Sequence, residues 1–161
     1  MATALTNLFS YDSKSVPDGT SFKIHIVVSQ WNKTITSGLK EGVINTLLKN
    51  NVKQANIKVW YVPGSFELVY GTKKAQSFDP DAVIAIGSII QGQTKHFDFV
   101  CQAVSQGIKD LNIQSEVPVI FCVLTDNNLK QAQDRSGGKH GNKGVEAAVA
   151  ALKMIQLRYT H

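Results

Sequence analysis

From Phe22 onward the chain alternates between two rhythms. A β-branched run, FKIHIVVS at 22–29, is followed by Ile35, Leu39, Val43 and Leu47, which return every four residues as on one helix face. The pair then repeats. IKVWYV at 57–62 precedes a helix expected over 65–76, and AVIAIGSII at 82–90 precedes Phe97, Val100, Val104, Ile108 and Leu111. VPVIFCVLT at 117–125 precedes two helical stretches, 129–135 and 142–157. Four strands alternating with helices, two of them nearly continuous in apolar residues, predict a parallel sheet covered on both faces. Right-handed crossovers make this an α/β fold of three layers (α/β/α) around a doubly wound four-stranded parallel sheet. Residues 1–21 are polar, hold no sustained period and carry Pro17 and Gly19, so they read as an arm ahead of one domain over 22–161.

Composition agrees with one domain. A chain of 161 residues, 43% hydrophobic and 18% charged, buries roughly 70% of its unfolded surface, enough for a full core. The balance of 17 basic against 12 acidic residues gives +5, which suits an anionic partner. The lysines are scattered, with Lys73-Lys74 the only adjacent pair and no basic run interleaved with aromatics, so nucleic acid is not the expected partner. A phosphorylated metabolite needs only one or two well-placed cations. Cys101 and Cys122 stand outside any CxxC or metal-ligand spacing and read as two buried free thiols, implying a reducing compartment. No basic head precedes an apolar stretch and no apolar run nears ~18 residues, so a cytoplasmic protein without membrane association is expected.

In a doubly wound sheet, ligands bind beyond the carboxyl ends of the strands. That directs attention to 29–36, 63–67, 88–96 and 124–126. The richest stretch is GSIIQGQTKHFD at 87–98. Gly92 permits a close turn, Gln93 and Thr94 offer an amide and a hydroxyl, and the helix starting near Phe97 turns its free N–H groups toward an anion. His96 in the same turn places an imidazole, a side chain that can take and give a proton, beside that anion. A surface histidine at a helix start is the plainer alternative. Trp31, at the end of the first strand, suits either core packing or stacking on a planar heterocycle. Asn32 suits a cap for the next helix. In VPGSFEL, Pro63-Gly64 forces a turn, Ser65 suits an N-cap and Glu67 the positive end of the helix dipole, although a polyhydroxyl ligand would suit the same Ser and Glu. DRSGGKHGNKG is no P-loop, because Asn142 stands in place of the second Gly and Gly144 follows Lys143. Arg135, ending a helix just before it, serves either the dipole or a phosphate. HExxH, GxSxG and zinc-ligand spacings do not occur.

The strings SQWNKTIT, VPGSFE, AIGSIIQGQTKHFDFVC, VPVIFCVLT and QAQDRSGGKHGNKGVEAAVAA, in this order, resemble the successive motifs of the 6,7-dimethyl-8-ribityllumazine synthases, from about Phe22 to Leu157. The resemblance implies a flavodoxin-like fold and a transferase of riboflavin biosynthesis. Its members condense 5-amino-6-(D-ribitylamino)uracil with 3,4-dihydroxy-2-butanone 4-phosphate, using no metal or other cofactor. It also implies roles. Trp31 stacks on the pyrimidinedione; Ser65, Phe66 and Glu67 hold the ribityl chain; Ser88, Ile89 and Ile90 read the polar edge of the ring. Gln93 and Thr94 form the phosphate turn, His96 moves protons, Arg135 is the cation on the phosphate, and Phe121 is lent by a neighbouring subunit. Two positions depart from many relatives: Gln91 stands where Arg or Lys is frequent, and Gln93 where Glu, Ser or Ala is usual. The loss of a cation at Gln91 leaves Arg135 as the main phosphate ligand.

The resemblance further implies a homo-oligomer with active sites between subunits, built from pentamers that in some members close into a shell of sixty chains. Members that stop early often carry extra residues between the last two helices. Here that loop, 135–142, is short, and it favours the shell, whereas Pro17 would weaken the arm as an added strand. The alternatives are a non-catalytic flavodoxin-like module holding a flavin or lumazine, and a basic nucleic-acid-binding domain.

Overall fold

The computed structural model describes residues 11–160; the first ten residues of the expected arm lie outside them. Ile24–Ser29 (β1), buried at every position, pairs in parallel with Ile57–Val62 (β2) on one side and Ala82–Ile90 (β3) on the other, and β3 pairs with Val119–Asp126 (β4). The sheet order is β2-β1-β3-β4. The helices are Lys33–Lys49 (α1), Leu68–Gln76 (α2), His96–Gln114 (α3), Leu129–Arg135 (α4) and Lys143–Arg158 (α5). The expected three-layer fold is therefore present.

Because strand side chains alternate between faces, each strand feeds two cores. Ile24, Ile26 and Val28 of β1 pack with Leu39 and Val43 of α1 and with Ala148 and Leu152 of α5. Val27, Val83 and Ala85 pack on the other face with Leu68 of α2 and with Val104 and Ile108 of α3. Gly144 allows the first layer to close, since a Cβ there would stand 2.1 Å from the Leu39 carbonyl oxygen. The described part of the arm lies at the end of the sheet where the strands begin. Gly19 N–H donates to Asn50 O at 2.8 Å, Asn50 Nδ2 donates to the Tyr11 hydroxyl, and Val16 packs on the first core.

Four expectations change. The helix expected from residue 65 begins at Leu68, because residues 65–67 form a turn closed by Leu68 N–H on Ser65 O. The fourth strand starts at Val119, beyond Pro118, and runs on to Asp126. The presumed loop before α5 is a small antiparallel hairpin of Ser136–Gly138 (β5) and Gly141–Asn142 (β6), with Gly137 and Gly141 at positive φ. Of the two thiols, Cys122 is buried but Cys101 is only half-buried on α3. A cysteine's place on its helix, which the bare spacing of two thiols does not give, decides the difference.

Candidate functional site

The chain leaves β1 toward β2 in one direction and returns past β1 to β3 in the other, so the carboxyl ends of β1 and β3 flank a crevice at the topological switch point. A cleft of about 1130 Å³ opens there. Its floor is the end of β3, Ser88 to Ile90; one wall is the segment after β2, Gly64 to Glu67; the other is the start of α3. Gln30 N–H donates to Val62 O and Trp31 N–H to Pro63 O, which sets Trp31 beside the turn after β2. Gly87 lets that turn approach the sheet: a Cβ there would stand 2.8 Å from both Leu68 Cδ1 and Ser65 Oγ.

Trp31 is not core. It is 72% exposed and Phe66 60% exposed, and both line the cleft. Exposed rings of this size on a concave surface are what a flat ligand stacks on. Ser65 and Ser88 also line the cleft, are buried, and neither hydroxyl has a protein hydrogen-bond partner. Buried hydroxyls without partners are costly, so these two are unsatisfied hydrogen-bonding groups at the cleft. Ser65 therefore does not cap α2. Glu67 occupies the cap position, and its Oε2 accepts from Gly64 N–H at 2.8 Å.

Asn32 departs from its expected role too. It precedes α1 in the left-handed region (φ 54°) and makes no side-chain cap; its Nδ2 instead donates to Ser88 O at 2.9 Å, joining the two strand ends under the cleft. Thr94 and His96 line the opposite rim, and His96 N–H meets Thr94 Oγ1 at 3.4 Å at the start of α3. A Cβ at Gly92 would meet nothing within 4 Å and its φ is not positive, so the fold of this chain does not itself require glycine there.

Three expected residues do not line the cleft. Gln93 is exposed in the same loop, Phe121 lies on the edge strand β4 opposite Ala85, and Arg135 ends α4 with its Nη1 3.4 Å from Asp126 Oδ1. Conversely, sequence reading missed the wall that Phe99, Gln102, Ala103 and Gln106 make along α3. Its signal was present: these positions repeat at helical spacing beside the core stripe of Val100, Val104 and Ile108. Among the described residues, no three His, Cys, Asp or Glu side chains are grouped to hold a metal ion, and no helix is long and apolar enough to cross a membrane.

Comparison with known proteins gives one answer. A family model described as 6,7-dimethyl-8-ribityllumazine synthase matches residues 21–159. Proteins of that name from Christiangramia forsetii and Flavobacterium johnsoniae are 59% and 58% identical, each over 98% of this chain and over 95% and 84% of their own length. The one from Parabacteroides distasonis is 53% identical over 96% of this chain and 98% of its own.

Proposed function

The chain belongs to the 6,7-dimethyl-8-ribityllumazine synthase family, and from that premise we propose that it is the riboflavin-pathway transferase itself, with its chemistry in the cleft beneath Trp31. The observation that carries the reading is the set of groups lining one cavity: three exposed rings, two buried hydroxyls without partners and one histidine at a helix start.

In this reading the pyrimidinedione of 5-amino-6-(D-ribitylamino)uracil lies on Trp31. The main chain of Ser88 to Ile90 reads its edge, and Ser65, Phe66 and Glu67 hold the ribityl chain. Thr94, Gln93 and Arg135 take the phosphate of 3,4-dihydroxy-2-butanone 4-phosphate. The 5-amino group attacks the ketone, and water leaves to give an imine. Phosphate is then eliminated, and the ribitylamino nitrogen closes the ring with loss of a second water. Each step moves protons, and His96 on the rim is the carrier; such transfer is worth about 10²–10⁴-fold. Holding the two reactants in register contributes much of the remaining acceleration, and Arg135 with the first-turn amides of α3 stabilises the departing phosphate.

The site is shared between subunits of a homo-oligomer. Phe121 and Arg135 lie off the cleft of their own chain, which supports their delivery to a neighbour's cleft, and exposed Tyr70, Phe99 and Ile113 are apolar area that a neighbour would cover. Pentamers closing into a sixty-chain shell are the assembly we favour, supported by the short hairpin before α5. With a 17.6 kDa chain, a pentamer has a mass of about 88 kDa and a shell about 1.06 MDa. Light scattering distinguishes them, and a sole peak at the pentamer mass refutes the shell. The protein works in the cytoplasm, with residues 1–21 as an arm outside the catalytic domain.

Mixing the purified protein with both substrates tests the activity. A fluorescent lumazine and free phosphate in equal amounts are expected; ligand binding without phosphate release would establish the non-catalytic alternative instead, against which the relatives' names as synthases already weigh.

A further inference from the structure

Asp126, the last residue of β4, has a side chain only 2% exposed. Its Oδ1 accepts from Arg135 Nη1 at 3.4 Å, and its Oδ2 has no hydrogen-bond partner. A buried carboxylate half satisfied by one long contact is a cost to the fold rather than a support. Burial accordingly pushes its pKa up, with Arg135 pulling it partly back. Packing therefore does not explain a charged residue here, and the surroundings offer a different reason. The carbonyl oxygen of Asp126 accepts from Gln91 N–H at 2.9 Å, which fixes the strand end from which its side chain reaches Arg135. The Arg135 side chain is 38% exposed, so it is not enclosed by its own chain as Asp126 is.

We propose that Asp126 is a positioning residue for the phosphate-binding cation: by holding Nη1 from the buried side, it orients Arg135 so that the remaining N–H donors meet the phosphoryl group of the ketose substrate. Guanidinium recognises phosphate through a planar fork, so its orientation matters as much as its charge. The inference rests on the reading that Arg135 binds that phosphate. In a chain with Gln at position 91, no second cation in that loop position compensates for a misaligned arginine.

Steady-state kinetics of the assembled protein with Asp126→Asn, Arg135→Gln and the double variant test it, with inorganic phosphate as a competing probe. Asp126→Asn is expected to raise KM for the ketose phosphate about three- to tenfold and to weaken phosphate inhibition in proportion, with the pyrimidine KM within about twofold. Arg135→Gln raises the same KM further, and adding Asp126→Asn to it changes nothing more. Thermal stability of Asp126→Asn should equal or exceed that of the parent, which a structural role would not allow. An unchanged KM in Asp126→Asn, beside a raised one in Arg135→Gln, overturns the positioning role alone. An unchanged KM in Arg135→Gln overturns the phosphate assignment, and the proposal falls with it. If Asp126→Asn unfolds, Asp126→Thr is measured in its place; loss of stability in both means that the pair holds the fold, and this too overturns the proposal.

Discussion

The side-chain amide of Asn32 spans the two strand ends that flank the cleft, donating to the carbonyl oxygen of Ser88 at 2.9 Å from a backbone held in the left-handed region. A non-glycine residue costs about 1–2 kcal/mol in that conformation, which Asn tolerates better than most. Asn32→Gly removes the bond but not the backbone freedom, whereas Asn32→Ala removes the bond and adds strain. Both are expected to raise the pyrimidine KM several-fold, and only Asn32→Ala should also lower Tm, by about 2–4 °C per kcal/mol of strain. Equal pyrimidine KM values in parent and both variants would remove the Asn32 bridge from the site.

His96→Ala is expected to lower kcat by about 10²–10⁴-fold, since the imidazole carries protons between reacting groups. The pyrimidine ring is held by Trp31 and the β3 end, so its dissociation constant should change by less than about twofold. Binding titration beside single-turnover kinetics separates the two, and wild-type turnover would reduce His96 to a surface residue.

Cys122 sits within the first core between the sheet and α5, and burial pushes its thiol pKa up to about 12. The thiolate is the reactive form, so at neutral pH Cys122 should resist thiol reagents in the folded protein and react on denaturation. Half-buried Cys101 is the faster of the two. Labelling followed by peptide mass spectrometry reads this; rapid modification of Cys122 in the native protein would contradict its burial.

Asp126 gives a pH dependence with a defined sign. Its folded pKa is raised, chiefly by burial, above the ordinary value near 3.9 of the unfolded chain. Its contribution to stability is therefore fully present below that ordinary value and is lost as pH rises through the folded value. Asp126→Asn should consequently exceed the parent in Tm at pH 7, and the difference should shrink toward pH 4. Differential scanning calorimetry across that range checks it, and a difference that grows on acidification would reverse the assignment.

Local chain physics made much of this protein legible before any coordinates. The expected bounds of β2, β3 and α4 coincide with those of the structure because a β-branched run and a four-residue apolar period are properties of neighbouring residues alone. The motif segments containing Trp31, Ser65 and His96 could be located because a parallel sheet with right-handed crossovers puts every strand's carboxyl end on one side. The order β2-β1-β3-β4 was not legible, and with it went everything that depends on which strand ends are neighbours. Asn32 looked like a helix cap because its partner, Ser88, stands 56 residues away in sequence. The hairpin before α5 looked like a loop because its packing against α1 passes through Asn142 Nδ2 on Gly38 O, a contact between residues 104 apart. Asp126 was legible only as the end of the strand-end segment 124–126 and not as a residue with a role, since a carboxylate there is ordinary until Arg135 and Gln91 fold against it. Sequence determines where helices and strands form through short-range sterics and periodic burial; which polar atoms then meet across the cleft is settled by long-range packing that no local pattern encodes.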